Sequence, residues 1–178
     1  MIELLRKRRS IRKYTGQAID KKSRELLIEA LLRAPSSRDI KPWEFIVVDD
    51  PELLSKLSEA KEHGSQFLRA AQLGIVVCAD STKSDVWIED CSIAAILVQM
   101  VAVSLGLGSC WIQIRNRNYK EKKTSEKYIR DILGLPGQIK VESIISIGHP
   151  GETRKPVTKS ELQHTKIKHN HYLESYFS

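Results

Sequence analysis

A single domain in which strands alternate with helices is predicted by three features of the sequence. Its 178 residues fit one domain of the usual size, about 100–200 residues. A chain of that length buries roughly 70% of its unfolded surface, so it needs neither disulfides nor metal to fold. Short runs rich in β-branched residues, near Trp43, Ile75, Ser109 and Val141, are separated by stretches of helical periodicity. The third feature is the segment 90–112, around which the chain is organised. From Ile93 to Leu105 only Gln99 and Ser104 interrupt the apolar run, and a helix apolar all round has to be covered on every side. About sixteen such residues fall short of the roughly 20 that a membrane span needs, so a buried core helix is expected. Alternation of this kind suggests, by default, a doubly wound parallel sheet.

The elements follow in order. Residues 2–9 read as a short amphipathic helix ending at Ser10. Asp20 caps a second helix carrying Leu26, Leu27, Ala30, Leu31 and Ala34 on one face, and Pro35 stops it. A polar loop over 36–42 leads into a strand, Trp43–Val48. Asp50 then Pro51, a cap followed by proline in the first turn, starts a helix running to about His63. Gly64 breaks it, and a shorter helix covers 66–71. A buried strand spans 75–79, and the central helix opens at Asp90 and ends at Gly106 and Gly108. A strand over 109–114, a basic loop, a helix over 124–133 ended by Gly134 and a strand over 141–147 complete the pattern. The tail from Gly151 is polar, with His164, His169 and His171 scattered through it. There is no internal repeat, low-complexity segment or linker, so 1–178 is read as one domain.

Hydrophobic residues are 41% and charged residues 29% of the chain, an ordinary globular balance. The basic residues at 6–9 interrupt any apolar run after Met1, so no signal peptide is expected. Cys78, Cys91 and Cys110 lack CxxC or zinc-like spacing, which points to a reducing cytoplasm. The net charge of +7 is concentrated in Arg6, Lys7, Arg8, Arg9, Arg12 and Lys13, and again in Arg115, Arg117, Lys120, Lys122 and Lys123. Such density favours an anionic partner. Stacking aromatics interleaved with the cations, the mark of a nucleic-acid module, are missing. A phosphate-bearing small molecule is therefore expected at the first cluster and a solvated loop at the second; neither nucleic acid nor membrane is expected as a partner. A dinucleotide fingerprint needs a strand before its glycines, whereas Gly106 and Gly108 follow a helix. No Ser-His-Asp or Cys-His arrangement is evident, and the tail histidines are too scattered for a metal site.

Four segments carry chemistry. In RRSIRKY, residues 8–14, Arg8, Ser10 and Arg12 alternate and so point the same way in an extended chain, two guanidiniums and a hydroxyl suited to a phosphate. APSSRDIKPW, 34–43, is a proline-bounded loop with two hydroxyls able to press on a flat ligand. GLGSCWIQ, 106–113, has small residues that let backbone amides approach a ligand. IGHPGETRKP, 147–156, leaves a strand and presents Arg154 and Lys155.

In that order and at those separations, together with DCSIA at the start of the central helix, the four segments resemble the FMN-dependent nitroreductase family from Arg8 to about Pro156. The resemblance implies an α+β fold with a mainly antiparallel central sheet flanked by helices, in an intertwined homodimer whose interface holds the central helix. FMN would bind between subunits, with NAD(P)H as reductant. Arg8, Ser10 and Arg154 would hold the phosphate, with Arg9 beside them, and Arg12 would lie at the pyrimidine edge of the flavin. Pro35, Ser36, Ser37 and Asp39 would come from the partner chain. Trp111, Ile112 and Gln113 would lie near the hydride-accepting nitrogen. Residues 157–178 would embrace the other subunit. The flavin would carry the reaction, from NAD(P)H to a nitroaromatic, quinone or related acceptor by a ping-pong mechanism, with no catalytic side chain. The same fold also serves dehalogenation and flavin breakdown, and a non-catalytic polyanion binder is a third reading. The chain departs from the family at Asp39 and Lys41, where many members have Asn and Gln. It departs again at Gly64, Ser65 and Gln66, where several relatives place a flavin-binding polar side chain, and between Gln113 and Thr124, which holds no long lid.

Overall fold

A computed structural model describes residues 1–120 and 122–177. Its elements are α1 (Ile2–Lys7), α2 (Lys21–Leu32), β1 (Trp43–Val48), α3 (Pro51–Ser58), β2 (Leu73–Asp80), α4 (Trp87–Ser104), β3 (Gly108–Gln113), β4 (Asn118–Lys120), β5 (Lys123–Thr124), α5 (Ser125–Leu133), β6 (Ile139–Gly148), β7 (Lys168–His169) and β8 (His171–Ser175), with 3₁₀ turns such as Gln66–Ala70 between them. The main sheet has the order β1-β2-β6-β3 and every pair is antiparallel. The α+β architecture therefore replaces the parallel default.

Helix length explains the difference. The eight residues of α3 span about 12 Å, short of the roughly 20 Å of a six-residue strand, so the chain turns back at the same end of the sheet. The hairpin β4–β5 and α5 likewise return β3 to β6 antiparallel. Only α4, with 18 residues, makes a full return, and it joins β2 to β3, which run in the same direction on either side of β6. α4 passes the length and composition test for crossing a membrane, with a mean hydropathy of 1.5, but here it lies against the sheet.

The two faces of the sheet are packed separately. α2 and α4 cover one with Leu27, Leu31, Val98 and Ala102 against Ile75, Val77, Ile145 and Ile147. α3, α5 and the Gln66–Ala70 turn cover the other with Leu54, Leu57, Leu68 and Ile129 against Val76, Ile112 and Ile144. β2 and β6 are buried on both sides, which explains the unbroken apolar run of β2 from Leu73 to Ala79, whereas β6 also buries Glu142, Ser143 and Ser146.

Several boundaries move from their predicted places. α3 stops at Ser58 because Ser65 Oγ donates to the Ser58 carbonyl (2.7 Å) and Gln66 Nε2 to the carbonyls of Lys61 (3.2 Å) and Glu62 (2.8 Å), pulling 59–64 into a turn. α4 begins at Trp87, so Asp90 lies in its first turn and does not cap it. The basic loop contains β4–β5, and the tail contains β7–β8. From Gly151 to Phe177 no residue is buried.

Candidate functional site

The site is built on the segment after α1, which is fastened along the outer edge of β3. Ser10 bridges Ser109 in parallel, and the Ile11 N–H donates to the Ser109 carbonyl at 3.0 Å. This needs a glycine at 108, where a Cβ would stand 2.8 Å from the Ile11 side chain. Tyr14 holds the other end: its hydroxyl donates to the Ile11 carbonyl (2.8 Å) and bonds Ser146 Oγ (2.7 Å). Burial pushes this phenol far above its ordinary pKa, so it stays protonated. Its ring lies over Gly148, and the Gly151 N–H donates to the Lys13 carbonyl at 2.8 Å. The IGHPG stretch is thus a landing strip for the N-terminal segment.

Fastening gathers the cations. Burial raises the pKa of the Cys110 thiol, and the neighbouring Arg12, Ser10 and Arg8 pull it partly back. Glu152 accepts the Arg12 backbone N–H at 2.7 Å and pairs with Arg154 at 2.9 Å. The Arg12 amide, then Arg154, hold its carboxyl below the usual range. Arg9 donates to the Lys155 carbonyl, and the Arg12 guanidinium lies 5.8 Å from the centre of the Phe67 ring. Arg8, Arg9, Ser10, Arg12 and Arg154 therefore share one neighbourhood.

The rest of that neighbourhood is the open edge of β3. The Ser109 carbonyl points away from β6 toward Ile11, while the Ile114 N–H donates to the Glu142 carbonyl. Backbone direction alternates along an antiparallel strand, so the N–H and C=O of Trp111 and Gln113 face off the sheet. Ile112, by contrast, turns its backbone to β6 and its side chain into the core, 1% exposed. The Gln113 side chain is also engaged: it accepts from Trp111 Nε1 (3.0 Å) and donates to the Arg115 carbonyl (3.0 Å). Buried beside this edge, Ser109 Oγ has no partner among the described residues. Two guanidiniums and a hydroxyl fit a phosphate, and an open row of amides with an aromatic neighbour fits a flat heterocycle.

Pro35, Ser36, Ser37 and Asp39 lie elsewhere, at the N-terminal end of α4. Among the described residues no hydrogen bond or ion pair joins them to Arg8–Arg12 in the same chain. Their loop is rigid. The Ser37 N–H donates to Asp90 Oδ1 at 2.8 Å, and the Lys41 N–H to Ser36 Oγ at 2.8 Å. Arg38, Asp39 and Lys41 all have φ near +53°, costing about 1–2 kcal/mol apiece. The two departures in this loop answer each other, since Lys41 Nζ pairs with Asp39 at 3.0 Å. Asp90, 2% exposed, is the anchor that sequence reading took for a helix cap. Tyr14 and Glu152 also escape sequence reading; only the glycines at 148 and 151 hint at them.

Among the described residues no group of three or more His, Cys, Asp or Glu is placed to hold a metal. A profile of the Nitroreductase family matches residues 5–74 and 55–149. The solved structure of an FMN-dependent nitroreductase from Clostridium difficile R20291 superposes with a TM-score of 0.95 at 49% identity, covering 96% of this chain and 99% of that one. A protein of Archaeoglobus fulgidus, provisionally named NADH dehydrogenase/NAD(P)H nitroreductase, is 38% identical over 86% of this chain and 87% of its own. The NADPH-flavin oxidoreductase of Vibrio harveyi is 30% identical over 97% of this chain and 75% of its own.

Proposed function

The chain belongs to the nitroreductase family, and from that premise we propose a homodimer that passes electrons from NAD(P)H to nitroaromatics, quinones or a related acceptor by a ping-pong mechanism. It is an FMN-dependent NAD(P)H oxidoreductase. The observation that carries the finer reading is the fastened segment: Arg8, Ser10 and Arg12 beside the open amides of Trp111 and Gln113.

FMN, when bound, would supply the redox chemistry between NAD(P)H and the acceptor. The protein positions and tunes it. Arg8 and Ser10 hold the phosphate, and Arg154 adds a guanidinium already aligned by Glu152. Arg12 sets a fixed positive charge at the pyrimidine edge, which favours the reduced ring. The amides of Trp111 and Gln113 donate to the heterocycle from the sheet edge. Pro35, Ser36, Ser37 and Asp39 serve the site of the other subunit, which accounts for a strained, anchored loop remote from its own Arg8. The exposed tail packs on that subunit. With no long lid between Gln113 and Thr124, donor and acceptor use the same open face in turn. Three buried cysteines without disulfides suit a reducing cytoplasm.

The purified protein is expected to be yellow, to bleach anaerobically with NADH or NADPH, and to regain colour when a nitroaromatic or quinone is added. The double variant Arg8→Ala, Arg154→Ala is expected to fold without colour. A full complement of FMN in that variant would overturn the phosphate assignment. Colourless wild-type protein that does not take up FMN would overturn the reading as a whole.

A further inference from the structure

We propose that a second basic site, centred on Lys61 and next to the flavin pocket, binds a phosphate group of the nicotinamide dinucleotide. The inference rests on the reductase reading above and assigns the donor's place in that site. Lys61 lies in the 59–64 turn and is half-buried. Among the described residues its ammonium makes no hydrogen bond and has no carboxylate within 4 Å. It folds back over its own turn, 3.7 Å from where a Cβ on Gly64 would stand. Burial lowers its pKa, and the like charge of Arg117 lowers it further. A partly desolvated cation facing a second cation is costly unless an anion joins them.

The surroundings suit a nucleotide better than a bare polyanion. Lys61, Arg69 and Lys120 line a groove of about 320 Å³ between the turn and β4–β5, at the small end of ligand pockets, about 300–1,000 Å³. Glu59 and Glu62 line it too, and among the described residues neither forms an ion pair. Cations beside unpaired carboxylates match phosphate beside ribose hydroxyls, whereas a continuous polyanion would be repelled by the two glutamates. One wall is stiff: Tyr119 stacks on Tyr128 with ring centres 3.9 Å apart, and Lys120 lies over Tyr119 at 4.9 Å. The groove adjoins the flavin pocket: the Arg12 guanidinium lies 5.8 Å from the centre of the Phe67 ring, and the adjacent residue in the chain, Gln66, lines the groove.

Calorimetry with adenosine 2′,5′-bisphosphate and with ADP, alongside steady-state kinetics with NADPH and NADH, tests the assignment on holoenzyme. Lys61→Gln is expected to weaken one of the two nucleotides at least fivefold and to raise the matching KM similarly, with flavin content as in wild type. Lys61→Arg should restore most of the loss, and Lys22→Gln, on the exposed surface of α2, should leave binding as it is. Loss confined to the 2′,5′-bisphosphate and NADPH places the 2′-phosphate on Lys61; loss shared by ADP and both donors places the diphosphate there. Unchanged binding and KM would overturn the proposal. Loss of FMN with unchanged nucleotide binding would also overturn it and give Lys61 to the flavin. A wild type without flavin that still binds the nucleotides through Lys61 would refute the reductase reading alone.

Discussion

The two faces of the sheet are finished in different ways. On the face of α3 and α5, apolar residues are turned inward and polar ones outward, and Leu57 and Ile129 are wholly buried within one chain. On the face of α2 and α4 the apolar surface continues to the outside. Ile93 and Ile96 of α4 are 39% and 40% exposed, Leu26, Ile28 and Leu32 of α2 and Val47 of β1 are exposed as well, and Ile28, Leu32 and Val47 line one groove. The tail is exposed in the same way, with Leu162, Ile167, Tyr172, Leu173, Tyr176 and Phe177 all in the open. Large apolar side chains exposed together on one face suit an association site. One face is completed by its own chain, and the other leaves apolar side chains in the open, where the homodimer proposed above would bury them.

Three changes sharpen or break that contrast. The largest effect is expected from Ile96→Asp on the unfinished face: a charge in the interface of the proposed homodimer should give a monomer by light scattering, with its flavin lost. A variant that stays dimeric would place the interface elsewhere. Leu57→Ala on the finished face should cost about 2–5 kcal/mol by cavity formation, read as a lower Tm, while the folded fraction remains dimeric and yellow. The smallest effect concerns the fastening of the N-terminal segment. The Glu152 carboxyl is held below its ordinary value of 4.5, so its contribution is complete above that pH and is lost as the pH falls through the lowered value. Glu152→Gln should flatten the acid limb of a Tm-against-pH curve and leave the curve above pH 6 parallel to wild type. An unchanged acid limb would show that the segment is held by its other contacts, at Tyr14, Gly151 and the Ser10–Ser109 bridge, without help from Glu152.

Much of this was legible where the cause is local. The strand Trp43–Val48 was placed to the residue, and α5 was bounded by Thr124, which accepts the Lys127 N–H, and by Gly134, which takes a left-handed φ of 66°. Arg8, Ser10 and Arg12 could be grouped because alternation sets their direction. What was missed depends on partners far along the chain. The end of α3 is decided by Ser65 and Gln66, the role of Asp90 by Ser37, and that of Glu152 by Arg12. The β4–β5 hairpin has a lysine-rich sequence of poor strand propensity and owes its shape to the Tyr119–Tyr128 stack.

The bare amides of Trp111 and Gln113 also bear on how the protein behaves in a tube. A sheet edge with unsatisfied backbone groups is a template for pairing with another chain, and the fastened segment shields only its beginning, at Ser109. A flavin ring seated along the remainder, as proposed above, would act as a stopper as well as a reagent. Loss of colour and onset of turbidity should then go together on storage, and added FMN should prevent both.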